Sequence, residues 1–124
     1  MQKYLTLNDL ATYKLAFHLS NQIWEIVIVW KNFEKDTVGK QFVRAVDSIS
    51  ANIAEGFGRY GKKDKIHFYR YAFGSVMESL DWNEKAFRRD MLTKKEYESF
   101  LASLKQLQKE INHLIRFTNA KLSI

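Results

Sequence analysis

The sequence predicts an all-α protein, an antiparallel up-down-up-down four-helix bundle in one domain spanning residues 1–124. Three observations carry that expectation. Proline is absent, so nothing removes a backbone donor inside a long helix. The five glycines stand at 39, 56, 58, 61 and 74, and four of them fall in or beside expected connections. Between the breaks, apolar residues recur at three- and four-residue spacing along four long stretches.

Helix 1 is expected from about Asp9 to Trp30, with Asn8 as N-cap. Its stripe is Leu10, Tyr13, Phe17, Ser20, Trp24 and Val27, beside Ala16, Leu19, Ile23 and Ile26. The run Ile26–Trp30 also suits a strand, but the helical spacing enters it without a turn signal. Helix 2 is expected from Asp36 to Phe57. At about 100° per residue, Phe42, Val46, Ile49 and Ile53 share one side while Arg44, Ser48, Asn52 and Glu55 share the other. Gly56-Phe57-Gly58 reads as its C-cap, followed by the basic loop Arg59–Lys65. Helix 3 is expected from Asp64 to Arg89, with Ile66, Tyr69, Phe73, Val76, Leu80 and Phe87 on one seam. Asp90–Thr93 makes the next turn. Thr93-Lys-Lys-Glu96 is a capping-box pattern. Helix 4 follows with Phe100, Leu104, Leu107, Ile111 and Leu114 inward, fading near Ala120. Short connections make successive helices antiparallel neighbours.

Composition narrows the function classes. There is no cysteine, which excludes disulfides and thiolate metal sites. The opening residues carry no apolar core followed by small residues, so no signal peptide is expected and the cytoplasm is the expected location. The longest apolar run, Ile26–Trp30, is far too short for a bilayer, so no membrane partner is expected. The net charge of +6 favours polyanionic partners.

The bundle topology sorts that charge. The helix 2–3 loop shares an end with both chain termini, and this end gathers Lys3, Arg59, Lys62, Lys63, Lys65, Arg116 and Lys121 against Asp9, Glu55 and Asp64. Arg59, Lys62, Lys63 and Lys65 are the candidate phosphate contacts. Tyr60 between them can stack on an unpaired base, and Arg44 on helix 2 is a further candidate. A solvated basic loop that only keeps the protein soluble is the competing reading. The polar line Arg44, Ser48, Asn52 and Glu55 is either a hydrogen-bonded stripe against a neighbour or an ordinary wet face.

Several large apolar residues are expected to point away from the core: Leu15 and Val29 on helix 1, Tyr71 and Trp82 on helix 3. Gly74 lies on the same outer side, where a missing side chain permits close approach. Together they form the expected oligomer interface.

No catalytic pattern stands out, and no enzyme activity, metal or cofactor is expected. His18, His67 and His113 form no His-Glu-x-x-His, and no Gly-x-Ser-x-Gly is present. Glu110-Ile-Asn-His113 matches one half of a di-iron bundle motif, but that site needs two such motifs and two further inward glutamates.

The stretch Arg44-Ala-x-x-Ser-Ile-x-Ala-Asn-Ile-Ala-Glu-Gly-x-Gly-Arg59 resembles the hallmark of the bacterial four-helix-bundle proteins encoded in intervening sequences of 23S ribosomal RNA genes. Gly74-Ser-x-x-Glu78 and Asp9-Leu-x-x-Tyr-x-x-Ala16 resemble further motifs of that family, which is often described as ribosomal-protein-like. The family is in turn similar to the accessory variability determinant of diversity-generating retroelements, a basic pentameric barrel that binds nucleic acid and works with a reverse transcriptase. The chain departs in three places. Phe33-Glu34 stands for Phe-Pro, Ser48-Ile49-Ser50 for Ser-Ile-Pro, and Val43-Arg44 for an arginine pair. The resemblance implies a homo-oligomer, a pentamer, that binds RNA or DNA electrostatically as an accessory factor. The alternative it implies is an adaptor ring that recruits a protein such as a polymerase.

Overall fold

The structure, a computed structural model, describes residues 6–123. It is an antiparallel four-helix bundle with α1 at Ala11–Val27, α2 at Lys40–Gly58, α3 at Lys62–Arg88 and α4 at Lys94–Lys121. Each helix packs on the next, and α4 returns to pack on α1. Lys3 lies outside the described residues.

The chain enters through a 3₁₀ turn at Leu7–Asp9, and α1 begins only at Ala11. Asn8 is therefore not the N-cap. The cap position of α1 is Leu10, with no side-chain cap, and Thr6 and Asp9 close the preceding turn: the Thr6 amide donates to Asp9 Oδ2 at 2.7 Å and the Thr6 hydroxyl at 3.1 Å. Those hydrogen bonds hold the Asp9 carboxyl below its ordinary range.

Helix 1 is also shorter than expected, ending at Val27, and its buried line is rotated. Ala16, Leu19, Ile23 and Val27 fill the core, while Phe17 and Trp24 are 52% and 50% exposed. The same shift occurs on α3. There Ala72, Ser79, Asn83 and Ala86 join Tyr69 and Val76 in the interior, and Ile66, Phe73, Leu80 and Phe87 are only half-buried. Helices packed 8–10 Å apart leave little depth at the line of contact, so small residues go there and aromatics seal the flanks. Two buried hydroxyls are satisfied on their own helices: Ser20 donates to the Phe17 carbonyl and Ser79 to the Ser75 carbonyl.

Helix 2 is not uniform. A single α-turn, Asn32–Glu34, runs into a π-helical segment, Lys35–Gly39, before α2 proper. Gly39 is the reason the segment can sit there. A Cβ on it would lie 2.7 Å from Val27 Cγ1 and 3.3 Å from the Trp30 ring, so it is a buried contact point with α1 and not a connection. The wider turn breaks the α-helical phase before Lys40 and leaves Phe33 75% exposed.

The remaining ends follow local chemistry. Thr93 Oγ1 accepts from the Glu96 amide at 3.1 Å, and Glu96 Oε1 accepts from the Thr93 amide at 2.9 Å, which is the capping box that the sequence predicts. At the C-terminus of α3, Asp90 takes a left-handed φ of 61°, and the Met91 amide donates to the Ala86 carbonyl at 2.8 Å. A side chain costs energy in that conformation, and a carboxylate sits unfavourably at a helix C-terminus. Asp90→Gly is therefore expected to stabilise the fold by about 0.5 kcal/mol. A raised urea midpoint with an unchanged m-value is the expected result.

Candidate nucleic-acid interface

The basic loop is placed by one close contact. Gly56 lies against the ring of Tyr69, where a Cβ would stand 2.7 Å from Cε1 and 3.0 Å from the Lys65 carbonyl oxygen. This brings the end of α2 onto the start of α3, and only Arg59–Gly61 connects them. Burial pushes the Tyr69 hydroxyl up to about 12. No glycine among the described residues takes a left-handed conformation; Arg59, the capping residue, is extended at φ −78° and ψ 154°. The helix thus ends at Gly58, as the sequence predicts, without a left-handed cap, and Gly56 is a packing point.

That geometry divides the basic residues. Lys65 turns back: its Nζ donates to the Phe57 carbonyl at 2.7 Å and the Gly56 carbonyl at 3.5 Å. It caps the last carbonyls of α2, and partial burial lowers its pKa. Arg59 pairs with Glu55 at 3.4 Å and Asp64 at 3.8 Å, and its guanidinium lies 4.6 Å from the Phe68 ring centroid. Arg44 is about 22 Å along α2 from Arg59, from 1.5 Å of rise per residue. It lines a separate hollow with Trp24, Ile28 and Lys40. Lys65, Arg59 and Arg44 are therefore not free members of one patch.

His67 and Arg70 lie beside the remaining lysines instead. These two join Lys62, Lys63, Ile66 and Asn119 in an open hollow of about 360 Å3. Lys63, His67 and Arg70 follow i, i+4, i+7 along the exposed side of α3. Lys62 Nζ donates to the Asn119 carbonyl at 3.4 Å, which holds it over the hollow from the α4 side. Among the described residues neither Lys62, Lys63 nor Arg70 has an ion-pair partner, and no acid lines the hollow. Tyr60, two residues before Lys62, is 85% exposed. The helical spacing of Lys63, His67 and Arg70 is present in the sequence, but the denser charge of the loop is the stronger signal there.

Lys65→Met is expected to lower stability by about 1 kcal/mol, the worth of a partly exposed charge-assisted hydrogen bond, and to leave polyanion affinity nearly unchanged. Thermal melts and binding titrations on the one variant check both halves.

The other candidates fall as follows. Ser48 and Asn52 donate to carbonyls of their own helix, those of Arg44 and Ser48, which favours a wet face over a stripe. Val29 and Tyr71 are 80% and 51% exposed, and Gly74 is open, since a Cβ placed there would have nothing within 4 Å. Leu15 and Trp82 differ from expectation, because both are half-buried against the core. Trp82 Nε1 also donates to Glu78 at 3.3 Å. His113 is exposed. Among the described residues no three of His, Cys, Asp or Glu come together as a metal site. No described helix is long and apolar enough to cross a membrane.

Comparison with known proteins adds a family and a fold. The family model described as 23S rRNA-intervening sequence protein matches residues 8–113. A crystal structure of a protein of unknown function from the S23 ribosomal protein family of Bacteroides thetaiotaomicron is similar at a TM-score of 0.79 and 22% identity. The match covers 85% of this chain and 98% of that one. No curated protein matches.

Proposed function

The chain belongs to the 23S rRNA-intervening sequence protein family, and from that premise we propose that it is a non-enzymatic, self-associating bundle that binds the phosphate backbone of RNA or DNA. The observation that carries this reading is the hollow at the start of α3. Lys62, Lys63, His67 and Arg70 line it without an acid among them. Lys62, Lys63 and Arg70 stand on one hollow, and each cation that meets a backbone phosphate releases condensed counterions. The adjacent helix N-terminus adds unpaired amides and a positive dipole end. Tyr60 offers an exposed ring for a splayed base.

Self-association multiplies the same site without new chemistry, and the sequence resemblance implies five copies. The test is fluorescence anisotropy with structured RNA, duplex DNA and single strands across a salt series. Binding that falls steeply with salt supports the reading, and the order of ligands names the class. No binding at low salt removes it.

A second reading has one observation in its favour. At the α1–α2 corner Trp24, Ile28, Val29 and Phe33 are 50%, 44%, 80% and 75% exposed. Several large apolar residues exposed within one short stretch of chain are typical of a protein-contact face. On this reading the bundle is an adaptor for a protein such as a polymerase. Co-purification of one defined protein with no retained nucleic acid favours it.

A further inference from the structure

Helix α3 turns one line of residues directly away from the core. At about 100° per residue, Gly74 points opposite to the buried line through Tyr69, Val76 and Asn83. The residues around Gly74 on this outer face mirror one another. Three positions to either side are Tyr71 and Met77, 51% and 48% exposed. Four positions to either side are Arg70 and Glu78, both exposed. Seven positions to either side are His67 and Asp81, again both exposed. Bases precede the glycine and acids follow it. A Cβ at Gly74 would meet nothing within 4 Å, so its backbone is open to approach.

A face of this kind complements its own reverse. Running a second α3 antiparallel across Gly74 sets Tyr71 against Met77 and Arg70 against Glu78, and the two-fold axis repeats each contact. We propose that two copies of this chain associate through antiparallel α3 helices crossing at Gly74, with Arg70 of each copy facing the partner's Glu78. The proposal rests on the reading that the protein self-associates, and it names one contact through which copies meet.

The charges select the orientation. A parallel alignment would place Arg70 on Arg70 and Glu78 on Glu78, while the antiparallel one pairs them. Among the described residues Arg70 has no carboxylate partner and Glu78 no cation, and Glu78 accepts a hydrogen bond from Trp82 Nε1 at 3.3 Å. The partner supplies both missing ions. Exposed ion pairs contribute little net energy, so attraction comes from Tyr71 and Met77, an aromatic ring against a thioether. The missing side chain at position 74 brings the axes closer than the usual 8–10 Å. One helix per copy makes a small interface, so the association is weak and dynamic. Because the contact is isologous, it forms dimers or joins two larger assemblies and does not itself close a ring of five. Arg70 is shared with the basic hollow, so a bound polyanion competes with the partner's Glu78.

Sedimentation equilibrium at low salt, without nucleic acid, tests this with Arg70→Glu and Glu78→Arg, each alone and then mixed. Both changes are on an exposed helix face, and circular dichroism verifies the fold. Wild type is expected to associate. Each single variant should associate roughly tenfold more weakly, since like charges then face each other twice. An equimolar mixture of the two should recover wild-type affinity, because every facing pair is opposite again. If the wild type associates but the single changes have no effect, or the mixture gives no recovery, this contact is wrong and another face is in use. A wild type that stays monomeric at every concentration overturns both the contact and the self-association reading.

Discussion

Removing the charge of Lys62, Lys63 and Arg70 together, each as a change to Gln, is expected to weaken RNA and DNA binding by about two orders of magnitude near 0.1 M salt. Three phosphate contacts contribute a log–log salt slope of roughly 2.7, so the slope should flatten by about that amount. The loss should be similar across sequences, because backbone contacts carry no base information. Arg44→Gln is the matched control, since Arg44 lines a separate hollow, and it should change the slope by less than one. Stability should hardly move, as none of the three charges has an ion-pair partner among the described residues. Equal affinity and equal slope for the triple variant and wild type would take the hollow out of the function.

Gly56→Val is expected to destabilise the bundle by about 3 kcal/mol and lower Tm by roughly 10 °C. A Cβ there would stand 2.7 Å and 2.9 Å from two Tyr69 ring carbons and 3.0 Å from the Lys65 carbonyl. Tyr69 is 2% exposed and fills the core, so its ring has no free volume to move into. The Lys65 carbonyl is backbone and moves only if α3 moves. The strain therefore pushes α2 and α3 apart at the end that carries the basic hollow, and binding should fall with stability. Gly58→Ala is the counterpart. Nothing lies within 4 Å of a Cβ at that position, and alanine gains about 0.5–1 kcal/mol over glycine in a helix. Urea midpoints of both variants decide the matter, and a Gly56→Val protein as stable as wild type would show that the close contact is not needed.

Much of the fold is legible in the sequence because it is local. The capping box of Thr93 and Glu96 is a four-residue pattern, and it forms as that pattern predicts. The 4-3-4 spacing of Phe100, Leu104, Leu107 and Ile111 puts all four in the core. What the sequence does not show depends on neighbours. Phe17 and Trp24 have the size of core residues, yet the depth between helices suits Ala16 and Ser20 instead. Gly39 has the look of a break, yet it is the place where α1 touches the π-helical turn.

The candidate site divides the same way. The location of the basic end follows from chain order and charge. Which cations are free does not, because a lysine's fate depends on what its ammonium reaches. Lys65 and Lys63 are two residues apart at the start of α3, but one faces the open carbonyls of α2 and the other faces solvent. The periodic pattern alone determined four helices, their order and the end at which positive charge collects, since these need only local propensity and short connections. Helix rotation, the pairing of Arg59, the capping by Lys65 and the assembly of Lys62, Lys63, His67 and Arg70 into one hollow were decided only in the tertiary structure. Each depends on distances between residues on different turns and helices, and those distances exist only once the helices have packed.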